Sequence, residues 1–138
     1  MEAVLVATDA ILALLDADSP LHRQALSALR ELRDRGAVPL LTNFTVAETF
    51  TGLAATLGPD AGRTWLRHNI WEVERVSEAD EERAREIVLG PENSGRGPVD
   101  VSYAGATAMA VMERLGIKKV FSFDPELREA GLFQGNRK

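Results

Sequence analysis

The stretch VLVATDAILALLDAD, residues 4–18, begins as a continuously apolar run, passes Thr8 and Asp9, and continues as an apolar helical pattern. A short apolar run followed at once by a helix is typical of a buried strand. Asp9 stands where the strand passes into the helix. A carboxylate at that place either caps the helix or binds a metal ion. Both interpretations stay open from this stretch alone.

Outward from this stretch, apolar runs typical of strands alternate with amphipathic runs typical of helices. The expected strands are residues 3–7, 38–42, 71–76 and 118–123, of which 71–76 alternates like an edge strand. The expected helix starts are at Ser19-Pro20, at Asn43 or Thr45, at Pro59, at Ser77 with Asp80 as a capping box, and at Asp100. The segment GPENSGRGP, residues 90–98, is an expected loop. This alternation predicts an α/β fold with a mainly parallel sheet between helices.

Composition excludes several classes of protein. The 138 residues suit one domain, residues 1–138, and the absence of cysteine excludes disulfides and thiolate sites. No apolar run approaches the length of a membrane span, and the acidic start is unlike a signal peptide. We therefore expect a cytoplasmic protein with no membrane segment. The net charge of −5 argues against binding nucleic acid by bulk charge, although a local basic strip and a metal ion remain compatible with it.

Polar side chains follow the expected strands at their carboxyl ends, where open parallel sheets bind ligands. Asp9 follows the first strand, Asp124 follows the last, and Glu48 lies on the helix after the second. Oxygen ligands of this kind suit Mg²⁺ or Mn²⁺. Three carboxylates in one cleft are also expected to raise the pKa of at least one of them.

These features resemble the PIN domain family, especially the small VapC-type toxin ribonucleases. The likeness covers nearly the whole chain and rests on an ordered set of motifs. These are VLVATDAILALLD, LLTNFTVAETF, AMAVMERLGI and VFSFD. The resemblance implies a PIN-like three-layer α/β/α sandwich around the parallel sheet.

In that family four acids bind a divalent metal ion, which activates water for phosphodiester cleavage. Glu48 and Asp124 match the second and the fourth acid, whereas the first falls on Ala7 and the third on Gly105. Asp9 lies two residues beyond Ala7, roughly 6.6 Å along an extended chain and on the same side, so it is a candidate substitute ligand.

The candidate catalytic and metal-binding residues are therefore Asp9, Glu48 and Asp124. Asp100 is a further possible ligand if the start of its helix is shifted, and otherwise a helix cap. Glu48 could instead be structural if an arginine or lysine pairs with it. Asp124-Pro125 also suits a turn or a helix start.

Two functions remain open from the sequence. The first is a VapC-type endoribonuclease that depends on Mg²⁺ or Mn²⁺ and has a reduced carboxylate site. For it, the resemblance implies an RNA substrate, an antitoxin partner and a homodimer. The second is a degenerate PIN domain that binds RNA or protein and cleaves nothing, which Ala7 and Gly105 favour.

Overall fold

The computed structural model describes residues 2–90 and 100–131, with side chains as far as Arg128. Its elements, in chain order, are β1 (Ala3–Val6), α1 (Thr8–Leu15), α2 (His22–Asp34), β2 (Val38–Thr42), α3 (Asn43–Leu57), α4 (Pro59–His68), β3 (Glu72–Glu74), α5 (Glu78–Leu89), α6 (Tyr103–Leu115), β4 (Lys119–Phe121) and α7 (Pro125–Gly131). Residues 91–98 of the expected loop lie outside the described ranges. Within those ranges, no helix is long and apolar enough to cross a bilayer.

The sheet confirms the expected α/β architecture. Its strand order is β3-β2-β1-β4, and all three pairings are parallel. β3 is an edge strand as expected, although it is only three residues long. The inner strand β1 buries Val4, Leu5 and Val6 completely, because helices cover both faces of a parallel sheet. The chain runs from β1 to β2 on one side and later adds β4 on the other side, so the strand order reverses between β1 and β4.

The starts of α2 and α3 differ from the expected ones. α2 begins at His22, because the hydroxyl of Ser19 accepts from the backbone of Leu21 and forms a turn before the helix. The cap of α3 is Thr42, whose hydroxyl accepts from the N–H of Thr45. The expected caps Asn43 and Thr45 therefore both lie inside the helix.

The predicted capping box at Ser77 and Asp80 is confirmed. Asp80 is only 3% exposed, and its carboxylate accepts from Arg114 Nη2 at 2.8 Å and from Arg114 Nε at 3.0 Å. Arg114 also reaches Glu74, so this one guanidinium joins the end of α6 to α5 and β3. The hydrogen bond from Arg114 lowers the pKa of Asp80 below its ordinary value of 3.8.

Arg114→Gln is expected to lower the free energy of unfolding by about 2 kcal/mol near neutral pH, because it leaves the buried Asp80 carboxylate without its cationic partner. The folded-state pKa of Asp80 is depressed, so the stabilisation is present above pH 3.8 and is lost as the pH falls through the lower folded value. Urea denaturation should therefore show the two proteins converging in acid.

The matched control is Arg83→Gln, which removes a half-buried arginine paired with the exposed Glu113 and Glu86. Exposed ion pairs contribute at most about 1 kcal/mol, so this variant should stay close to the wild type. Equal losses in both variants would contradict the assignment of Asp80 as the buried partner.

Candidate functional site

A cleft of about 330 Å³ opens beyond the carboxyl ends of β1 and β4, at the point where the strand order reverses. The polar residues that line it are Thr8, Asp9, Thr45, Glu48, Ser102 and Asp124. The three predicted carboxylates thus come together in one cleft. None of the described lining residues is a lysine, arginine or histidine. The described walls of the cleft therefore supply no cation to neutralise the three carboxylates.

Glu48 reaches the cleft from α3, the helix that follows β2. The hydroxyl of Thr8 donates to Glu48 Oε1 at 2.6 Å, which fixes the carboxylate against the start of α1. A structural role for Glu48 would need an arginine or lysine partner. The ion pairs of the described residues include none to Glu48.

Asp9 enters the cleft from the first turn of α1, but it is not the cap of that helix. The N-cap position is Ala7, which makes no side-chain cap hydrogen bond. Because α1 begins already at Thr8, the extended spacing assumed between Ala7 and Asp9 is wrong. The Asp9 carboxylate instead accepts from the hydroxyl of Ser122 at 2.9 Å and from the N–H of Phe123 at 2.7 Å.

The pKa of Asp9 is raised above its ordinary value of 3.8, mainly because the carboxylate is buried. The hydrogen bonds from Phe123 and Ser122 oppose this shift, and the charge of Asp124 adds to it. A raised pKa was expected from crowded carboxylates. Here desolvation is the larger cause and carboxylate repulsion is a smaller one.

β4 ends at Phe121, two residues before the end of the expected strand, so Asp124 lies three residues beyond β4 and immediately before α7. Its Oδ1 accepts from the N–H of Glu126 at 2.9 Å, and its own N–H donates to the hydroxyl of Ser122 at 3.0 Å. Asp124 therefore organises the start of α7, which is one of its two expected roles, and its side chain also lines the cleft. Ser122 was not anticipated, although a lone serine in the apolar run VFSF was a usable signal.

Ala7 and Gly105, the two positions on which the resemblance places family acids, also line the cleft. Ala7 is 6% exposed at the start of α1. At Gly105, an added Cβ would lie 2.5 Å from Val101 Cγ2 and 3.3 Å from Ser102 Oγ. No real Cβ approaches another atom so closely, so Val101 fills the space that a side chain at position 105 needs.

Asp100 is exposed and is not among the residues that line the cleft. It is also not the cap of α6. That cap is Ser102, whose hydroxyl accepts from the N–H of Gly105 at 3.0 Å. The expected cap was wrong by two residues, because a serine close to the first turn is an equally good acceptor.

The carboxylates in the cleft suit a divalent cation such as Mg²⁺ only if it takes few protein ligands. Among the residues that the structure describes, no group of three or more histidine, aspartate or glutamate side chains stands at metal-binding spacing. Mg²⁺, however, commonly takes one or two protein carboxylates and keeps several waters. Glu48 and Asp124 are hard oxygen donors in a cleft whose described lining includes no basic residue, which suits that kind of binding.

A second and larger cavity of about 800 Å³ lies apart from the carboxylates, with walls from α1, α2, α3 and α4. Its lining is mainly leucine and isoleucine, together with Trp65 and Trp71. Ile70 at its edge is 90% exposed. Both tryptophans are partly buried and pack against the main core.

Comparison with known proteins identifies the family of this chain. The model of the PIN domain matches residues 4–132. Among solved structures, VapC20 of Mycobacterium tuberculosis, a toxin that cleaves the sarcin-ricin loop, is 29% identical with a TM-score of 0.75. The match covers 93% of this chain and 95% of VapC20. No curated protein sequence matches the chain. The protein therefore belongs to the PIN domain family, and its fold is that of a VapC-like PIN domain.

Proposed function

We propose that this protein is a VapC-like endoribonuclease that hydrolyses RNA phosphodiester bonds with Mg²⁺ or Mn²⁺ at a reduced carboxylate site. One observation carries the proposal. Glu48 and Asp124, which follow different strands of a PIN domain, line one cleft at the reversal point of the sheet. Both match acids that bind the metal ion in the family.

In the proposed mechanism, Glu48 and Asp124 are the residues that would hold the cation. A divalent ion held there would lower the pKa of a water molecule and neutralise charge on the phosphate. Thr8 orients Glu48 through its hydrogen bond to Oε1, and the N–H of Glu126 orients Asp124. These contacts hold the two carboxylates in place before RNA arrives, which lowers the cost of organising the site.

The proposed partners follow from the resemblance to VapC toxins. We propose an antitoxin protein that inhibits the chain, a homodimer, and action in the cytoplasm. The apolar cavity supports a protein partner, since Leu15, Leu26, Leu57 and Ile70 along it are exposed. Exposed apolar side chains that cluster around one cavity are the kind of surface that a protein partner can cover.

A second function is favoured by Ala7 and Gly105, which leave two positions on the cleft wall without an acid. With those ligands missing, the domain could bind RNA or a protein partner without cleaving RNA. The two functions differ in their response to metal ions.

The test is RNA cleavage and thermal unfolding with and without millimolar MgCl₂. We expect cleavage that stops on chelation with EDTA and resumes when Mg²⁺ or Mn²⁺ is added back. An ion that binds only the folded state stabilises it by about 1.4 kcal/mol at ten times its Kd, so the melting temperature should rise by roughly 4 °C.

Asp124→Asn should lose both effects, whereas Asp100→Asn, a matched change outside the cleft, should keep both. Absence of cleavage and of any metal-induced shift in the wild type would favour the second function. RNA binding that persists in EDTA would then identify the chain as a binding module.

A further inference from the structure

The carboxylate of Asp9 is bound to the end of β4, more than a hundred residues away in sequence. Oδ1 accepts from the Ser122 hydroxyl, and Oδ2 accepts from the Phe123 N–H. Hydrogen bonds to an ionised carboxylate are roughly twice as strong as neutral ones. Asp9 therefore fixes the two residues that immediately precede Asp124.

Ser122 extends this connection to Asp124 itself. It is completely buried, and its hydroxyl donates to Asp9 while it accepts from the backbone N–H of Asp124. The hydroxyl is thus a bridge from the Asp9 carboxylate to the main chain of Asp124. The position of Asp124 in the cleft therefore depends on Ser122 and on Asp9.

The three carboxylates differ in how their oxygens are used. Both oxygens of Asp9 accept from the protein, whereas Glu48 and Asp124 each accept on one oxygen within the described residues. Glu48 Oε2 and Asp124 Oδ2 thus remain available to a ligand. This matches the finding that Asp9 does not complete a group of three metal-binding side chains in the part of the chain that is described.

We propose that Asp9 is a positioning residue, which holds Asp124 toward the cleft through Ser122 and Phe123 and does not itself bind the metal ion. This inference rests on the proposed nuclease function. It also changes the role of Asp9, which the sequence indicated as a candidate substitute for the missing acid at position 7.

The test compares Asp9→Asn, Asp9→Ala and Ser122→Ala, with Glu48→Gln as the ligand control. Calorimetric titration with MnCl₂ measures metal affinity, and amide NMR in EDTA reports on Phe123 and Asp124. The Asn amide oxygen still accepts from the Phe123 N–H but carries no charge, so Asp9→Asn should bind Mn²⁺ almost as the wild type does. Asp9→Ala and Ser122→Ala should weaken Mn²⁺ binding about 10–100-fold, as supporting residues of metal sites do.

In EDTA, Asp9→Ala should shift the amide resonances of Phe123 and Asp124 strongly, and Asp9→Asn should shift them little. A loss of Mn²⁺ affinity in Asp9→Asn equal to that in Glu48→Gln, with Ser122→Ala unaffected, would make Asp9 a ligand and overturn the proposal.

If the wild type binds no Mn²⁺, the nuclease proposal fails, while the amide shifts still test the positioning. Unmoved resonances in Asp9→Ala would then reject it. Should Asp9→Ala not fold, Ser122→Ala, which removes only one hydroxyl, carries the same comparison.

Discussion

Glu48→Gln is expected to lower metal-dependent RNA cleavage at least about 100-fold, which corresponds to roughly 2.7 kcal/mol of lost transition-state stabilisation. Glutamine keeps the shape of the side chain, and its amide oxygen can still accept from Thr8. The variant therefore removes the charge and leaves the packing of α3 in place. Steady-state cleavage of a labelled RNA, with circular dichroism to verify the fold, measures the effect.

Two further variants separate the charge of Glu48 from its orientation. Thr8→Val removes the donor to Glu48 Oε1 and should cost about tenfold, because a net hydrogen bond to a charged group contributes about 1.5 kcal/mol. Glu72→Gln changes an exposed glutamate on β3 that does not line the cleft, and it should cleave like the wild type. Unchanged cleavage in Glu48→Gln would assign the activity to another site or to a contaminating nuclease.

The fold was largely predictable, because each element has a strong local signal. β2 was expected at 38–42 and is found there, since its apolar run is bounded by Gly36 and by the polar start of α3. The signal for the capping box at Ser77 was equally local. The caps of α3 and α6 were missed, because several neighbouring residues could each accept the same backbone N–H and only the tertiary path of the chain chooses among them.

The candidate site was predictable only in part, because some of its contacts depend on the tertiary path of the chain. The convergence of Asp9, Glu48 and Asp124 follows from the parallel sheet, whose strand ends meet at one edge. The use of the Asp9 oxygens does not follow, because their donors at Ser122 and Phe123 are distant in sequence. The close approach of the Val101 side chain to Gly105 is likewise a contact that no spacing rule predicts.

The second large effect is expected from restoring the two missing acids. Ala7→Asp should be accommodated, because residue 7 is the N-cap of α1, where aspartate is favoured and no cap hydrogen bond exists. Gly105→Asp alone should destabilise the fold, since its Cβ would meet Val101 Cγ2 at 2.5 Å. The variant to make is therefore Ala7→Asp with Gly105→Asp and Val101→Ala, at a cost of about 1 kcal/mol for the lost apolar contact of Val101.

This triple variant should cleave RNA about 100-fold faster than the wild type in MgCl₂, because each added carboxylate supplies a metal ligand that the cleft lacks. It should also be stabilised more strongly by Mg²⁺, and in EDTA it should be less stable, since five carboxylates then repel each other without a cation. The matched control is Ala7→Asn with Gly105→Asn and Val101→Ala, which fills the same volume without charge.

The outcomes distinguish between ligand loss and a deeper loss of function. Faster cleavage in the aspartate variant, and not in the asparagine variant, would mean that missing acids alone limit the wild type. Adding Asp9→Ser to the restored protein then tests the positioning role. That role predicts lower activity even with every family acid present, because Ser122 and Phe123 lose the Asp9 carboxylate that holds them next to Asp124. A restored protein that binds Mg²⁺ tightly and cleaves no RNA would instead favour the binding module. In that case Asp9 would serve only to join α1 to the end of β4.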